Sequence, residues 1–466
     1  MPHTAAASGP AAGPPNRLAQ ALQPRHVTMI SFGGVIGAGL FVGSSGAIAK
    51  GGPGVMLTYA ACGLLVFLIM RMLGEMAMAK PGQGTFVEYS AIALGRWAGF
   101  VTGWLYWYFW VFTVGAETVA GAKLLQAAGV DAPLWAIGSF LVVAMTLTNL
   151  LSVRAYGEME FWFAVIKVAA IAAFIAIGAA FLAFFHPQDV LPTLLGHGGF
   201  LPRGPGGLLI AVPVVIFSMM GSEVAAIAAA ESADPARNIA RAARSVALRI
   251  LVFYVLSIAV IVAVLPWDRY IPGLSPFTPV LDRIGIPGSG ALLSLIIITA
   301  VLSCLNSGLY ITSRMLHELA AHGDAPAFLA GTARNKVPIA GLLIGCAAGS
   351  AAALAQIFLR EDVFTLLGST SGDIILFIYL LIAWAQIRQR RRLEADGVVL
   401  PLRMWLFPWL SYAVMAGLVA VLVLLAFIPD QQSTLALSAL TVALVFVALW
   451  LRERRKAQRL AAGGAS

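Results

Sequence analysis

Charged residues are scarce in this sequence. Asp, Glu, Lys and Arg make up 11% of the 466 residues, whereas 60% of the residues are hydrophobic. Soluble domains carry about 25% charged residues, which keep their surfaces hydrated. The composition therefore excludes an ordinary soluble enzyme and indicates an integral membrane protein, whose outer surface faces lipid.

Cysteine and histidine are also scarce. Cys62, Cys304 and Cys346 lie in apolar runs without the spacing of a disulfide framework or a metal site, so we expect free thiols packed as small hydrophobic groups. None of the six histidines falls in the middle of an apolar run, and no run carries the spacing of a nucleophile and its base. These absences disfavour an intramembrane enzyme, and we expect no catalytic residues, metal or cofactor.

Long apolar runs, in contrast, are abundant. Twelve of them have about the 20 residues needed to cross a bilayer. With a cytoplasmic N-terminus, the dense basic clusters at 237–249, 388–392 and 452–459 all lie in the cytoplasm, as the positive-inside rule requires. The net charge of +9 therefore indicates topology and some contact with anionic lipid, not nucleic-acid binding. The predicted spans are 27–47, 53–79, 97–125, 133–152, 160–185, 207–230, 246–265, 289–313, 338–358, 363–387, 405–428 and 434–451.

The first span contains a glycine cluster between residues 30 and 45. Each glycine inside a helix costs roughly 1 kcal/mol relative to alanine, so the cluster indicates either close helix packing or a helix that breaks inside the membrane. The sixth span has a second interruption, where Pro213 precedes Gly221 and Glu223. Paired interruptions in the first and sixth spans favour a transporter built from inverted repeats, with its site near the middle of the bilayer. The clustered glycines are Gly33, Gly34, Gly37, Gly39 and Gly43.

Charged residues within the spans are candidate functional groups. Glu117 lies well inside the third span, where a buried carboxylate is costly and indicates function. Lys167 lies about two turns into the fifth span; it is either a proton carrier, because burial disfavours the charged amine, or an anchor that snorkels to the cytoplasmic surface. Asp373, in the tenth span, lies either on a pathway or near the external mouth. The charged link at 152–160 is expected to be solvated.

Several long motifs resemble those of the amino acid permeases of the amino acid–polyamine–organocation superfamily. Within it, the closest similarity is to the bacterial GABA permease group. The similarity runs in order from about Arg25 to the twelfth span. The motifs are RHVTMISFGGVIGAGLFVGS from Arg25, GEMEFWF from Gly157, AAAES from Ala228, LSCLNSGLY from Leu302, GDAP from Gly323 and RMWLFPWL from Arg403.

The resemblance implies an all-α integral membrane fold of the leucine-transporter type. Its twelve transmembrane helices include a 5+5 inverted repeat in which helices 1 and 6 are unwound. The expected segments are a disordered cytoplasmic tail (1–24, which lacks the apolar core of a signal peptide), a first repeat (25–185), a second repeat (206–387), peripheral helices 11 and 12 (403–452) and a cytoplasmic tail (453–466).

The resemblance also implies which residues hold the substrate. Its carboxylate would accept hydrogen bonds from the backbone N–H groups of Gly37, Ala38 and Gly39. Its amine would face the carbonyls of Val35, Phe217 and Met220, with Phe217 as an aromatic lid. These assignments agree with the charge preferences of helix ends, which favour anions at the N-terminus and cations at the C-terminus.

For coupling, the resemblance places Lys167 where sodium-coupled relatives keep a cation, so that a proton replaces sodium. Glu117, Glu223 and Glu231 would form the polar network around it, and Ser303 would lie on the pathway with Asp373. Asp373 departs from the pattern expected of the GABA permease group and leaves room for a cationic substrate.

We therefore expect an inner-membrane importer of GABA or a related small amino acid, working by proton symport with alternating access. Its partners would be the amino acid and membrane lipid, and it would be a monomer or homodimer with both termini in the cytoplasm. The alternatives are an exchanger of an amino acid for its decarboxylation product, or a proton-coupled permease for proline or a cationic amino acid. A nutrient sensor is disfavoured because the short tails leave no obvious output domain.

Overall fold

A computed structural model describes residues 36–79, 85–151, 153–221, 223, 246, 248–333, 335–359, 362–400 and 402–463. All regular secondary structure in these ranges is helical. Of the predicted site residues, Val35 and Glu231 lie outside the described residues.

Helices succeed one another along the described residues. In the first half they are α1 (Ala38–Phe41), α2 (Gly43–Gly51), α3 (Val55–Ala79), α4 (Phe86–Leu94), α5 (Arg96–Ala127), α6 (Leu134–Leu151), α7 (Val153–Ala180) and α8 (Val190–Leu195). In the second half they are α9 (Gly204–Ser218), α10 (Ser257–Val264, which continues a π-helical segment Ile250–Leu256), α11 (Phe277–Ile284), α12 (Ser289–Ala321), α13 (Ile339–Phe358), α14 (Val363–Ala395), α15 (Trp409–Ala426) and α16 (Gln432–Gly463).

Seven helical segments within the described ranges are long and apolar enough to cross a membrane, and shorter apolar helices accompany them. Large apolar side chains such as Phe140, Trp409 and Phe427 are exposed on their outer faces. Exposed apolar surface on this scale is stable in lipid and not in water. The protein is therefore a multi-pass membrane protein. The seven segments are Gly43–Ala79, Gly157–Phe185, Ser289–Ala321, Ile339–Phe358, Val363–Ala395, Trp409–Ala426 and Pro429–Gln458.

The first and sixth predicted spans both contain non-helical backbone. Gly37 has an extended conformation (φ −132°, ψ −150°) immediately before α1, and Val42 separates α1 from α2. In the sixth span, α9 ends at Ser218 and a turn follows over 219–221, in which Gly221 has φ +85°. A left-handed φ of this kind favours glycine.

Pro213 does not itself break the helix; the non-helical backbone of the sixth span lies after it, at 219–221. Pro213 lies inside α9, and the helix continues to Ser218. Proline is tolerated in a membrane helix when neighbouring groups satisfy the backbone that it leaves unpaired. Here α14 approaches very closely, since a Cβ on Gly372 would lie 1.9 Å from the Pro213 carbonyl oxygen. The helix ends at Ser218, before the turn that contains Gly221.

The long helix α5 is central to the packing. It lies against α12 and α14, while α9 packs against α2 and α14. Helix α7 packs against α12. These contacts bring side chains of α5, α7 and α12 to the backbone that precedes α1.

Candidate functional site

Glu117 of α5 reaches the backbone at the start of α1. Both of its carboxylate oxygens accept a hydrogen bond from the Ala38 N–H, each at 3.0 Å. Glu117 is 1% exposed, so the interaction takes place away from water. A carboxylate is favourable there because the first N–H groups of a helix lack partners within the helix.

Lys167 of α7 binds the neighbouring carbonyl. Its ammonium donates to the Ile36 carbonyl oxygen at 3.1 Å and to the Ser303 hydroxyl of α12 at 2.9 Å. The side chain is fully buried, which excludes the snorkelling alternative. The two peptide groups on either side of Gly37 therefore bind opposite charges, because the Ile36 carbonyl accepts from the Lys167 ammonium and the Ala38 N–H donates to the Glu117 carboxylate.

Glu160 joins this network, although the sequence predicted it to be part of a solvated link; that expectation is wrong. Glu160 is fully buried. The Ser303 hydroxyl donates to its Oε2 at 2.7 Å, and the Asn306 amide donates to its Oε1 at 3.2 Å. A signal was present in the sequence, because residues seven apart, such as Glu160 and Lys167, lie on the same face of a helix.

Glu223 occupies a separate position. The Tyr106 hydroxyl donates to its Oε1 at 2.9 Å, and both side chains are buried. Tyr106 precedes Glu117 on α5 by about 16 Å along the helix axis, at 1.5 Å per residue. The structure thus brings Glu117, Lys167 and Ser303 together, whereas Glu223 contacts α5 at Tyr106, away from Glu117.

A cavity of about 10 Å³ lies beside the Glu117 carboxylate. It is far too small for an amino acid, so no amino acid fits in this cavity in the present conformation. Three of the predicted substrate contacts, Gly39, Phe217 and Met220, line it. The other lining residues are Phe109, Trp110, Thr113, Glu117, Ser218 and Cys304.

Asp373 lies away from that cavity. It is buried on α14 and accepts a hydrogen bond from the Ser438 hydroxyl of α16 at 3.4 Å. Its Oδ1 has no hydrogen-bond partner among the described residues. The structure therefore places this carboxylate between α14 and α16.

An ion pair joins the C-terminal end of α5 to the residue that precedes α14. The Lys123 ammonium donates to Asp362, and the Thr365 hydroxyl donates to the other oxygen of that carboxylate at 2.7 Å. The connection before α11 lies close by, with the Gly273 N–H donating to the Ser45 hydroxyl of α2 at 3.2 Å. Burial alone would raise the pKa of Asp362, but Lys123 and Thr365 outweigh it, and the pKa lies below its ordinary value.

No group of three or more His, Cys, Asp or Glu side chains that could hold a metal ion occurs within the described ranges. The three cysteines are free, as the sequence predicted.

The fold defines a class, that of polytopic helical membrane proteins. Comparison with known proteins identifies the family: residues 26–461 match the model of the family described as amino acid permease. The chain belongs to the amino acid permease family, and the resemblance found in the sequence is confirmed. Since the family is one of permeases, the chain belongs among the transporters.

Three curated relatives have names that refer to GABA. The chain is 44% identical over 449 residues to the gamma-aminobutyric acid permease of Bacillus subtilis strain 168, covering 96% of each chain. It is 44% identical to a probable GABA permease of Pseudomonas aeruginosa strain PAO1, covering 94% of each chain. It is 45% identical to the gamma-aminobutyric acid permease of Escherichia coli strain K12, covering 90% of this chain and 91% of the relative.

Proposed function

We propose that this amino acid permease imports a small amino acid, GABA first among the candidates, by proton symport with alternating access. The observation that carries the proposal is the Glu117 carboxylate on the Ala38 N–H, beside a closed cavity lined by Gly39, Phe217 and Met220. The names of relatives at 44 to 45% identity support GABA as the substrate.

The Glu117 contact supports the assignment of the substrate carboxylate to this backbone. A buried carboxylate already binds the Ala38 N–H, so the position accepts the same chemical group as the substrate. Gly37 and Gly39 flank that N–H, and without side chains they let neighbouring groups approach this backbone closely. The substrate amine would lie at the end of α9, where the carbonyls of Phe217 and Met220 favour a cation.

Glu117 and the substrate carboxylate would compete for one N–H donor. A substrate carboxylate arriving at Ala38 would therefore displace Glu117, and a protonated Glu117 would yield the N–H more readily because it is a weaker acceptor. This links substrate binding to the protonation of a buried acid. Glu223 and Glu231 would complete the path for the proton.

The protonation state of Lys167 would control how the backbone of the first span is held. Its ammonium binds the Ile36 carbonyl and the Ser303 hydroxyl, and loss of its proton would remove the charge that holds these groups together. The ion pair of Lys123 and Asp362 would close the external side in the conformation seen here.

We propose that this mechanism operates in a fold with a 5+5 inverted repeat, in which helices 1 and 6 are unwound. Helices occur in each of the twelve predicted spans, and non-helical backbone occurs in the first and sixth. The basic clusters near the end of α14 and within α16 support cytoplasmic termini in the inner membrane. The protein would work as a monomer or homodimer.

Uptake into proteoliposomes with an imposed proton gradient tests the function. Empty vesicles that are acidic outside should accumulate labelled GABA above the external concentration, and a protonophore should abolish the accumulation. Uptake that requires internal amino acid would instead establish an exchanger, and accumulation that resists the protonophore would contradict proton symport.

A further inference from the structure

We propose that Glu160 receives the proton from Lys167 through the Ser303 hydroxyl and releases it toward the cytoplasm. The proposal rests on the proposed proton symport and assigns the step that follows Lys167. Nothing in the resemblance gave Glu160 a role.

The connection consists of two consecutive hydrogen bonds between buried groups. Lys167 Nζ donates to Ser303 Oγ at 2.9 Å, and Ser303 Oγ donates to Glu160 Oε2 at 2.7 Å. All three residues are fully buried. A hydroxyl that accepts from an ammonium while it donates to a carboxylate is already oriented for proton transfer in that direction.

The transfer balances without another reactant. The ammonium of Lys167 gives one proton to Ser303 Oγ as the Ser303 hydroxyl gives its own proton to Glu160 Oε2. One N–H bond and one O–H bond break, and two O–H bonds form. The products are a neutral amine, an unchanged serine hydroxyl and a carboxylic acid.

Glu160 lies on the cytoplasmic side of Lys167 in the proposed topology. It is seven residues closer to the start of α7, which corresponds to about 10 Å along the helix axis. Helix α7 begins at Val153, within the charged link at 152–160, which lies on the cytoplasmic side in this topology. A proton that moves from Lys167 to Glu160 therefore moves toward the cytoplasm.

A second set of hydrogen bonds fixes the Glu160 carboxylate. Asn306 donates to Glu160 Oε1, and the Asn306 side-chain oxygen accepts from Asn149 at 2.6 Å and from Thr148 at 3.1 Å. These contacts orient the Asn306 amide and, through it, the carboxylate that faces Ser303. Asn149 and Thr148 lie in the last turn of α6, whose C-terminal end would face the cytoplasm.

Proton uptake and substrate exchange, measured separately in proteoliposomes, test the relay. We expect Glu160→Gln to lower GABA-dependent proton uptake, followed with an internal pH dye, by about 100-fold, the lower end of what a positioned proton-transfer group contributes. Counterflow of GABA between equal pools needs no net proton movement and should stay near the wild-type rate. Glu160→Asp should restore part of the proton uptake, and Ser303→Ala should reproduce the loss.

Glu158→Gln is the matched control, because it removes a carboxylate from the same helix two residues away, and it should preserve both activities. Normal proton uptake by Glu160→Gln would overturn the relay, and so would equal losses of uptake and counterflow, which would indicate a structural role. A wild-type protein without GABA-dependent proton uptake would refute the proposed symport itself, which keeps the two failures distinct.

Discussion

The Glu117 carboxylate accepts a hydrogen bond from the Ala38 N–H with both of its oxygens, each at 3.0 Å. The side chain comes from α5, and the N–H lies 79 positions earlier in the chain. An anion that belongs to the protein thus occupies the donor proposed for the substrate anion. Because of this contact, the Ala38 N–H keeps a hydrogen-bond partner although the cavity beside it, of about 10 Å³, is closed.

Replacing Glu117 with glutamine should separate binding from coupling. A neutral amide oxygen competes less strongly for the Ala38 N–H than a carboxylate does, so GABA should bind more tightly. Gradient-driven accumulation should fall because the acid is gone. Isothermal titration of the purified protein and proteoliposome uptake measure the two effects. Weaker binding together with intact accumulation would contradict competition at this donor.

Adding a methyl group at Gly37 should block transport. A Cβ there would lie 2.5 Å from Glu117 Oε1 and 2.6 Å from the Cys304 Cβ, so Gly37→Ala forces the groups at the site apart. We expect GABA uptake to fall to background. Gly46→Ala is the matched control, since a Cβ at Gly46 meets nothing within 4 Å and should leave uptake unchanged. Full uptake by Gly37→Ala would show that this backbone is not part of the site.

Removing the Lys167 ammonium should abolish accumulation while some substrate binding remains. Lys167→Ala deletes the donor to the Ile36 carbonyl and to Ser303, but it leaves the Ala38 N–H intact. Uptake under a proton gradient and GABA-induced thermal shifts measure the two properties. The exposed Lys456 provides a control for loss of a positive charge, and Lys456→Ala should behave as wild type. Gradient-driven accumulation by Lys167→Ala would exclude lysine as the proton carrier.

The ion pair of Lys123 and Asp362 should contribute modestly to stability. The two side chains are 24% and 31% exposed, and a double-mutant cycle with Lys123→Ala and Asp362→Ala should give about 0.5 kcal/mol, the range of partly exposed pairs. The lowered pKa of Asp362 means that this contribution is fully present above pH 3.8, the ordinary value, and is lost as the pH falls through the lower folded-state value. Thermal unfolding at pH 5 and pH 8 should therefore give the same coupling energy, and a marked difference would contradict the assignment.

The helix positions followed well from the sequence because lipid imposes a strong requirement. Each crossing needs about 20 apolar residues, so runs such as 338–358 match their helix, Ile339–Phe358, closely. Proline is a weaker signal in this environment. Pro213 is accommodated within α9, whereas the φ of Gly221 ends the helical backbone.

The site was only partly predictable because long-range contacts decide which acids are buried together. Glu117 and Lys167 could be identified from the sequence because an isolated charge in lipid is costly and therefore indicates function. Glu160 was missed because it follows other polar residues near the start of α7 and resembles a surface position. Its burial depends on Ser303 and Asn306 of α12, 143 and 146 positions later. The pairing of Glu223 with Tyr106 was missed for the same reason.

The most direct measurement is a structure of the protein with GABA bound in lipid nanodiscs. The substrate carboxylate should lie within hydrogen-bond distance of the N–H groups at Gly37, Ala38 and Gly39, with Glu117 moved away from Ala38. GABA bound elsewhere, with both Glu117 oxygens still on the Ala38 N–H, would contradict the account.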